Sequence, residues 1–415
     1  MCYNDIVNAN AQCLTLTPNA MPSYIFVINS GSSSLKFKLF EAKTLKEAAG
    51  GIMERIGLKD SFLKIKVCEE EKRNDFPDGI SGHEQALKIV FKKLCALRFT
   101  LCDITAIGHR VVHGGEEFTE PTVVTSPILQ KLGKYSALAP LHNPANLAGI
   151  RACRKLLPGI PNVAVFDTAF YRSVPDYAYL YAIPYRLYEK YRIRRYGFHG
   201  ISHRYVAGEA AKALKKPLGK LKIISCHLGS GASITAVKYG QAVETSMGFT
   251  PLEGLTMGTR CGDVDPSLTL YLIRNLKMTP GEVDDLLNKK SGLLGISGIS
   301  NDMREILAAA GCKVEGFKPP RKYSRQEKCR SDLALKMFIY DIQRYIGQYA
   351  LIMGGVDAIV FTAGIGERNA TVRKMVADGL GFLGKVKILA IPTDEELMIA
   401  RETAKIIKSK KSLKH

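Results

Sequence analysis

Residues 25–40 read IFVINSGSSSLKFKLF: an apolar run from Ile25 to Ile28, a turn of small polar residues from Asn29 to Ser34, and a near-alternating run from Leu35 to Phe40. That order predicts a β-hairpin. The pattern returns at 223–237, IISCHLGSGASITAV, with His227-Leu228-Gly229-Ser230-Gly231-Ala232-Ser233 as the turn. Laying Gly31 on Gly229 puts Asn29 on His227, and two such hairpins half a chain apart predict a duplicated domain. Between them, 81–97 carries apolar residues at helical spacing, and Thr105–Gly115 reads as a strand entering a glycine loop. Residues 162–168 read as a buried strand ending at Asp167, where α/β sheets place site residues. Residues 202–215 predict a helix, and 357–368 a strand, a glycine turn and a helix start. The apolar stretch 350–366 is broken by Gly354, Gly355 and Asp357, so it reads as a helix end and a buried strand, not a membrane span. Asp265-Pro266 predicts an N-cap with proline at N1. Thr393-Asp394-Glu395-Glu396 fits a capping box with Thr393 as N-cap and Glu396 at N3.

The first turn would let backbone N–H groups and serine hydroxyls crowd around an anion, with Lys36 adding a point charge and Asn29 an amide that can reach a metal-bound water. An ordinary surface hairpin is the alternative, and the Gly-Lys-Ser/Thr ending of a Walker A loop is missing. Arg110 ends its strand where a guanidinium fork could hold a carboxylate or phosphate; a structural salt bridge is the competing reading. The Pro-Leu-His-Asn-Pro turn at 140–144 would place Leu141 beside a small substrate. His199 and His203 stand one helical turn apart, yet the glutamate of H-E-x-x-H is absent and Gly200 weakens the helix, which argues against zinc. The segment 364–369 lacks the third glycine of a dinucleotide fingerprint, since Asn369 stands there.

Composition narrows the class. A chain of 415 residues favours two domains. The formal charge of +20 is spread along the chain, with excesses at 213–222 and in the final KIIKSKKSLKH, and no aromatic-and-basic RNA motif or zinc finger accompanies it. A basic surface that favours nucleotides and carboxylates is therefore expected, and neither a nucleic-acid nor a membrane partner. Ten cysteines stand without a CxxC pair or regular spacing, which predicts mostly buried thiols in a reducing cytoplasm. Eight tyrosines crowd 171–196 and predict aromatic packing at a domain or subunit boundary. Residues 1–21 lack lysine, arginine and a continuous apolar core, so a disordered extension is expected rather than a signal peptide.

VINSGSSSLKF (27–37) and GFHGISHRYV (197–206) resemble the two signature stretches of the acetate kinase family, with propionate kinases as near relatives. GHRVVHGG (108–115), PLHNPANL (140–147), VFDTAF (165–170), MGTRCGDVDPSL (257–268), FTAGIGER (361–368) and PTDEELMIARET (392–403) resemble it too, in the family's order. The resemblance covers about 22–405. It implies an actin-like α/β fold, that of the acetate and sugar kinases, chaperones and actin: two duplicated domains with a nucleotide cleft between them. Domain I would comprise 22–169 plus the terminal helix from 396, and domain II residues 170–395. The implied reaction is reversible phosphoryl transfer from ATP to acetate, giving acetyl phosphate and ADP with Mg²⁺ or Mn²⁺, in a homodimer. The resemblance assigns Asp167, His199 and Arg260 to catalysis, and Arg110, Val112, Leu141 and Phe198 to the acyl substrate. Ser32, Ser34, Lys36, His227, Leu228, Gly229, Ser230, Gly231, Asp302, Met303, Arg304, Gly364, Ile365, Gly366, Glu367 and Arg368 fall to the nucleotide, and Asn29 and Glu395 to the metal. Ser230, Asp394 and Arg368 stand where the family commonly has asparagine, and Arg368 puts a neutral amide contact to the nucleotide in doubt. Alternatives are a propionate kinase and an actin-like ATPase that moves a partner; Arg110 and Arg260, matched to an acyl-phosphate site, argue against the second.

Overall fold

The structure, a computed structural model, describes residues 23–140 and 142–412. The expected extension 1–21 and Leu141 lie outside the described residues. Two compact units form, one of residues up to Ala169 together with those from Asp394, the other of Phe170–Thr393.

The first unit is built on β1 (Tyr24–Ser30), β2 (Ser34–Glu41), β3 (Glu47–Glu54), β4 (Ser61–Val67), β5 (Glu70–Phe76), β6 (Ile104–Val111), β7 (Thr122–Val123) and β8 (Asn162–Phe166). Their order in the sheet is β5-β4-β3-β2-β1-β6-β8-β7, with β1, β6 and β8 parallel. β1 is buried along nearly its whole length because the sheet is covered on both faces there, whereas β2 alternates as its sequence does. On one face the helix His83–Ala96 inserts Ala86, Leu87, Val90, Phe91 and Leu94 against Phe26 and Phe37. On the other lies the terminal helix Glu395–Ser412, and here a glycine is required: a Cβ on Gly108 of β6 would stand 2.5 Å from Thr403 Oγ1 and 2.7 Å from Ile399 Cγ2.

The second unit uses β9 (Lys222–Leu228), β10 (Ala232–Lys238), β11 (Gln241–Thr245), β12 (Ala358–Thr362) and β13 (Lys387–Ala390) in the order β11-β10-β9-β12-β13. Antiparallel β11-β10-β9 followed by parallel β12 and β13 repeats the β3-β2-β1-β6-β8 portion of the first sheet. The duplication expected from the two hairpins is thus a duplication of sheet topology. The helix Arg325–Met353 opens with a capping box of Ser324 and Glu327 and ends at Gly354, whose φ of 68° no β-branched residue would tolerate.

Asp265 caps the helix Pro266–Arg274 as expected, accepting from Ser267 N at 2.7 Å. Two expectations are corrected. Among the eight described cysteines only Cys153 and Cys226 are buried; Cys68, Cys95 and Cys329 are exposed, because they fall on a hairpin turn and on outer helix faces rather than on core positions. The terminal helix is capped by Asp394, whose Oδ1 accepts from Leu397 N at 2.9 Å. Thr393 is not its N-cap, because its hydroxyl is engaged by Ser202 Oγ at 2.7 Å within the second unit. Asp394 also receives Lys38 Nζ at 3.1 and 3.2 Å, and Lys38 bridges on to Glu47 at 2.9 Å.

Asp394→Ala removes both cap and ion pair and is expected to cost about 1–2 kcal/mol, whereas Asp394→Asn keeps a capping oxygen and should cost within about 0.5 kcal/mol. Urea unfolding of the two variants measures this; equal losses would remove the cap from the account.

Candidate functional site

Polar side chains collect where the parallel strands end. In the first unit Asn29 stands near the end of β1, Arg110 near the end of β6, and Asp167 directly after β8. The parallel register that sets Arg110 opposite Val165 brings Asp167 within reach of its guanidinium. Arg110 donates from Nε to Asp167 Oδ1 at 3.2 Å and from Nη2 to Oδ2 at 2.7 Å, a two-pronged fork on a carboxylate that is 1% exposed. Nη1 lies 3.4 Å from Glu395 Oε2. Arg110 is thus in the structural ion pair that the sequence offered as the competing reading. Two of its nitrogens are structural, and the third faces a carboxylate that a ligand can replace or join.

Glu395 is half-buried, and its desolvation, first, pushes its pKa up to about 7. Arg110 and Lys36 oppose the rise, while Asp167 and Glu396 add to it. Capping by Asp394 leaves Glu396 outside the cap it was assigned, lining a groove with Lys36 and Lys38. Ser32 is exposed and Ser34 half-buried in the hairpin turn, closed by Gly31 N donating to Ser34 O at 2.8 Å.

Sequence reasoning missed the residues that hold these strand ends. Asn146 donates from Nδ2 to Ser30 O at 2.7 Å and accepts from Val112 N at 3.0 Å, joining the ends of β1 and β6. Asn143 accepts from His113 N and donates to His113 O, both at 3.0 Å. Both asparagines lie in the 140–147 stretch, read only for Leu141. Val112 is buried beside this brace.

In the second unit Tyr171 donates to Phe198 O at 2.5 Å and fixes the turn before the helix Gly200–Ala213. His199 caps that helix with φ 55°, a left-handed conformation uncommon for a non-glycine residue and typical of functional positions. Its ring stacks on that of His227, with centroids 4.3 Å apart. The bare backbone of Gly231 lies against both catalytic candidates of this unit: a Cβ there would stand 3.5 Å from Arg260 Nη1 and 3.6 Å from His199 Nε2. Arg260 donates to Pro251 O at 3.1 Å, and burial alone lowers its pKa. Among the described residues it has no carboxylate partner.

A cavity of ≈ 550 Å³ within this unit is lined by Gly229, Ser230, Asp302, Met303, Arg304, Gly364, Ile365 and Arg368, all matched to the nucleotide beforehand. Its volume suits a nucleoside. Asn301, Val314, Glu315 and Asn369 line it as well and were not foreseen; 313–330 had been read only as a surface loop. Asp302 caps the helix Met303–Ala309 and pairs with Arg304 at 2.6 Å. Arg368 is exposed and donates to Glu367. Leu228 and Gly366 are buried beneath the loop, where Gly366 permits contact with Cys226 O.

The folded-state pKa of Glu395, about 7, lies above the ordinary 4.5, so between those values the folded protein holds a proton that the unfolded chain releases. Stability from this group is full below the lower value and is lost as pH rises through the upper one. In metal-free protein, Glu395→Gln should gain about 1–3 kcal/mol on wild type between pH 5 and pH 8. Melting both proteins at the two pH values measures this, and a constant gap would show that burial does not disfavour the charge.

The Acetokinase family model matches residues 24–385. The chain is 50% identical over 414 residues to an acetate kinase of Thermotoga maritima, covering 92% of this chain and 98% of that protein. It is 47% identical over 410 residues to an acetate kinase of Halothermothrix orenii, covering 93% and 100%. Among solved structures, an acetate kinase of Porphyromonas gingivalis superposes with a TM-score of 0.84 at 40% identity, covering 93% of this chain and all of the other. A propionate kinase of Francisella tularensis does so with the same TM-score and identity, covering 92% and 99%.

Proposed function

The chain belongs to the acetokinase family, and we propose that it transfers the γ-phosphoryl group of ATP reversibly to acetate, giving acetyl phosphate and ADP. The fold is the actin-like α/β class expected from the sequence. The observation that carries the mechanism is the meeting of Arg260 and His199 at Gly231, beside the nucleoside-sized cavity. A half-buried guanidinium with no carboxylate partner among the described residues is poised for an anion. In-line phosphoryl transfer is mostly positioning and charge neutralisation, which such a group provides.

Each residue then has a task. Gly229, Ser230 and Gly231 offer small-residue backbone to the phosphates; Ser32, Ser34 and Lys36 are matched to the nucleotide by motif resemblance. Residues 302–304 and 364–368 surround the nucleoside. Arg110, fixed by Asp167, presents Nη1 to the acetate carboxylate; Val112, Leu141 and Phe198 are matched to the acyl group by motif resemblance. Arg260 and His199 meet the oxygens of the transferring group. Asp167 holds Arg110 in position.

Asn29 and Glu395 offer oxygen donors suited to Mg²⁺ or Mn²⁺. The half-buried Glu395, whose charge is disfavoured, supports this fit, since a divalent cation would relieve it. Among the described residues no group of three or more His, Cys, Asp or Glu side chains could hold a metal, so the cation would take its other ligands from water and phosphate oxygens. When bound, the cation neutralises charge on the phosphates. Homodimerisation is supported by the helix Pro266–Arg274, which buries none of its residues and exposes Leu268, Leu270 and Tyr271. Sedimentation reads the association state. Free thiols at the described cysteines fit the cytoplasm.

Propionate is the second reading, favoured by the equal superposition of a propionate kinase. One methylene in an apolar pocket is worth only about 1–3 kcal/mol. Trapping the acyl phosphate as hydroxamate with acetate, propionate and butyrate, and comparing kcat/KM, decides between them. In the same assay Arg110→Ala should raise KM for acetate about tenfold or more. Arg260→Ala should instead lower kcat about a hundredfold with KM nearly unchanged. Full activity in both variants would overturn the site.

A further inference from the structure

Beneath His199 runs a file of hydroxyls and imidazoles that the proposed function leaves unused. His199 Nδ1 lies 2.8 Å from Ser233 Oγ, which lies 2.8 Å from His203 Nε2. His203 Nδ1 in turn lies 2.8 Å from Ser225 Oγ. Ser225, His203 and Ser233 are wholly buried, on β9, the helix Gly200–Ala213 and β10 respectively. Three polar groups sealed from water, with His199 at the open end of the file, have few ways to place their protons.

The direction of the file follows from its closed end. Among the described residues Ser225 Oγ meets no polar partner other than His203 Nδ1, so its hydrogen is satisfied only by donation to that nitrogen. Burial and the neighbouring His227 hold the pKa of His203 well below the ordinary value, so this ring is neutral and carries its one proton on Nε2. Nε2 donates to Ser233 Oγ. The hydrogen of Ser233 then has His199 Nδ1 as its acceptor. A His199 nitrogen that accepts is unprotonated, which leaves the His199 proton on Nε2, the ring nitrogen that lies at Gly231, 3.6 Å from where a Cβ there would stand. The opposite direction would strand a hydroxyl hydrogen at Ser225 with no acceptor.

We propose that Ser225, His203 and Ser233 are positioning residues that fix the proton of His199 on Nε2, so that His199 meets the phosphoryl oxygens as a neutral hydrogen-bond donor. This rests on His199 contacting the transferring group, as read above. The stacked His227 ring works in the same sense, because two imidazolium rings with centroids 4.3 Å apart would repel. A donor aimed in advance needs no reorganisation when charge develops on the phosphoryl oxygens. Arg260 then supplies the formal charge and His199 the direction.

The test uses full-length protein with ¹⁵N-labelled histidine. Long-range ¹H–¹⁵N correlations should show His199 and His203 as Nε2–H tautomers. In Ser233→Ala the Nδ1–H form of His199 should become populated, and kcat should fall about ten- to a hundredfold while KM for ATP and acetate stays within about twofold. Ser225→Ala, which deletes only the closed end, should shift His203 and then His199 in the same sense with a smaller loss of kcat. It keeps the test open if Ser233→Ala does not fold. His199→Ala separates this idea from the reading beneath it. Retained kcat in His199→Ala would overturn the contact with the phosphoryl group. Loss of kcat there, with unchanged spectrum and kcat in whichever serine variants fold, would overturn the file alone.

Discussion

The fork between Arg110 and Asp167 is the interaction on which the polar end of the first unit depends. A carboxylate that is 1% exposed is costly unless paired and fully hydrogen-bonded, and both of its oxygens are taken by one guanidinium. The pair exists because β6 and β8 run parallel in a register that ends them together. Asn146 and Asn143 keep those ends in place by satisfying backbone groups that the sheet leaves open. Glu395 then adds a second carboxylate to a cation already engaged, and desolvation, with Asp167 and Glu396 adding to it, raises its pKa despite Arg110. The second unit, taken by itself, carries the opposite imbalance in Arg260. A metal–nucleotide and a carboxylate substrate have the charges that such unmatched groups require.

Duplication explains the frame and not the chemistry. Both sheets place an antiparallel hairpin beside two parallel strands, so both create a polar edge at their carboxyl ends. One edge bears Asn29, Arg110 and Asp167; the other bears His227, the 229–231 loop and the turn at Ala363. Asn29 and His227 occupy matching hairpin positions and differ in every property relevant to catalysis. The turn at Ala363 has φ 61°, so both this turn and His199 hold left-handed conformations next to the cavity and the loop.

The hairpins were legible because alternation and small-residue turns are local signals. The sheet order follows from them once the second copy is aligned. Roles for Arg260, 302–304 and 364–368 came from motif resemblance, since nothing in the sequence spacing says that Asp302, Met303, Arg304, Gly364, Ile365 and Arg368 line one cavity. The cap was misread for a tertiary reason: Thr393 and Asp394 are both good caps, and Ser202 and Lys38 decide between them. Cysteine burial failed similarly, because composition carries no information about which helix face a residue occupies. Ser225 and Ser233 looked like ordinary strand residues, and only packing against His203 makes them informative.

Asp167 shows how geometry limits chemistry. An aspartate at a strand end in a kinase invites the role of general base. The acceptor here is a carboxylate, already ionised at neutral pH, with no proton to give up. The placement of Asp167 agrees with that chemistry. Its two oxygens accept from Arg110 Nε and Nη2, and a carboxylate so engaged serves as an anchor rather than as a collector of protons. Anchoring has a further effect on Arg110, because a guanidinium held by two of its nitrogens cannot swing, and its third nitrogen has one direction to face. On the proposed reading, in which Nη1 meets the acetate, the positive charge is thereby placed before substrate arrives, which is the contribution that a reaction governed by positioning asks of its protein.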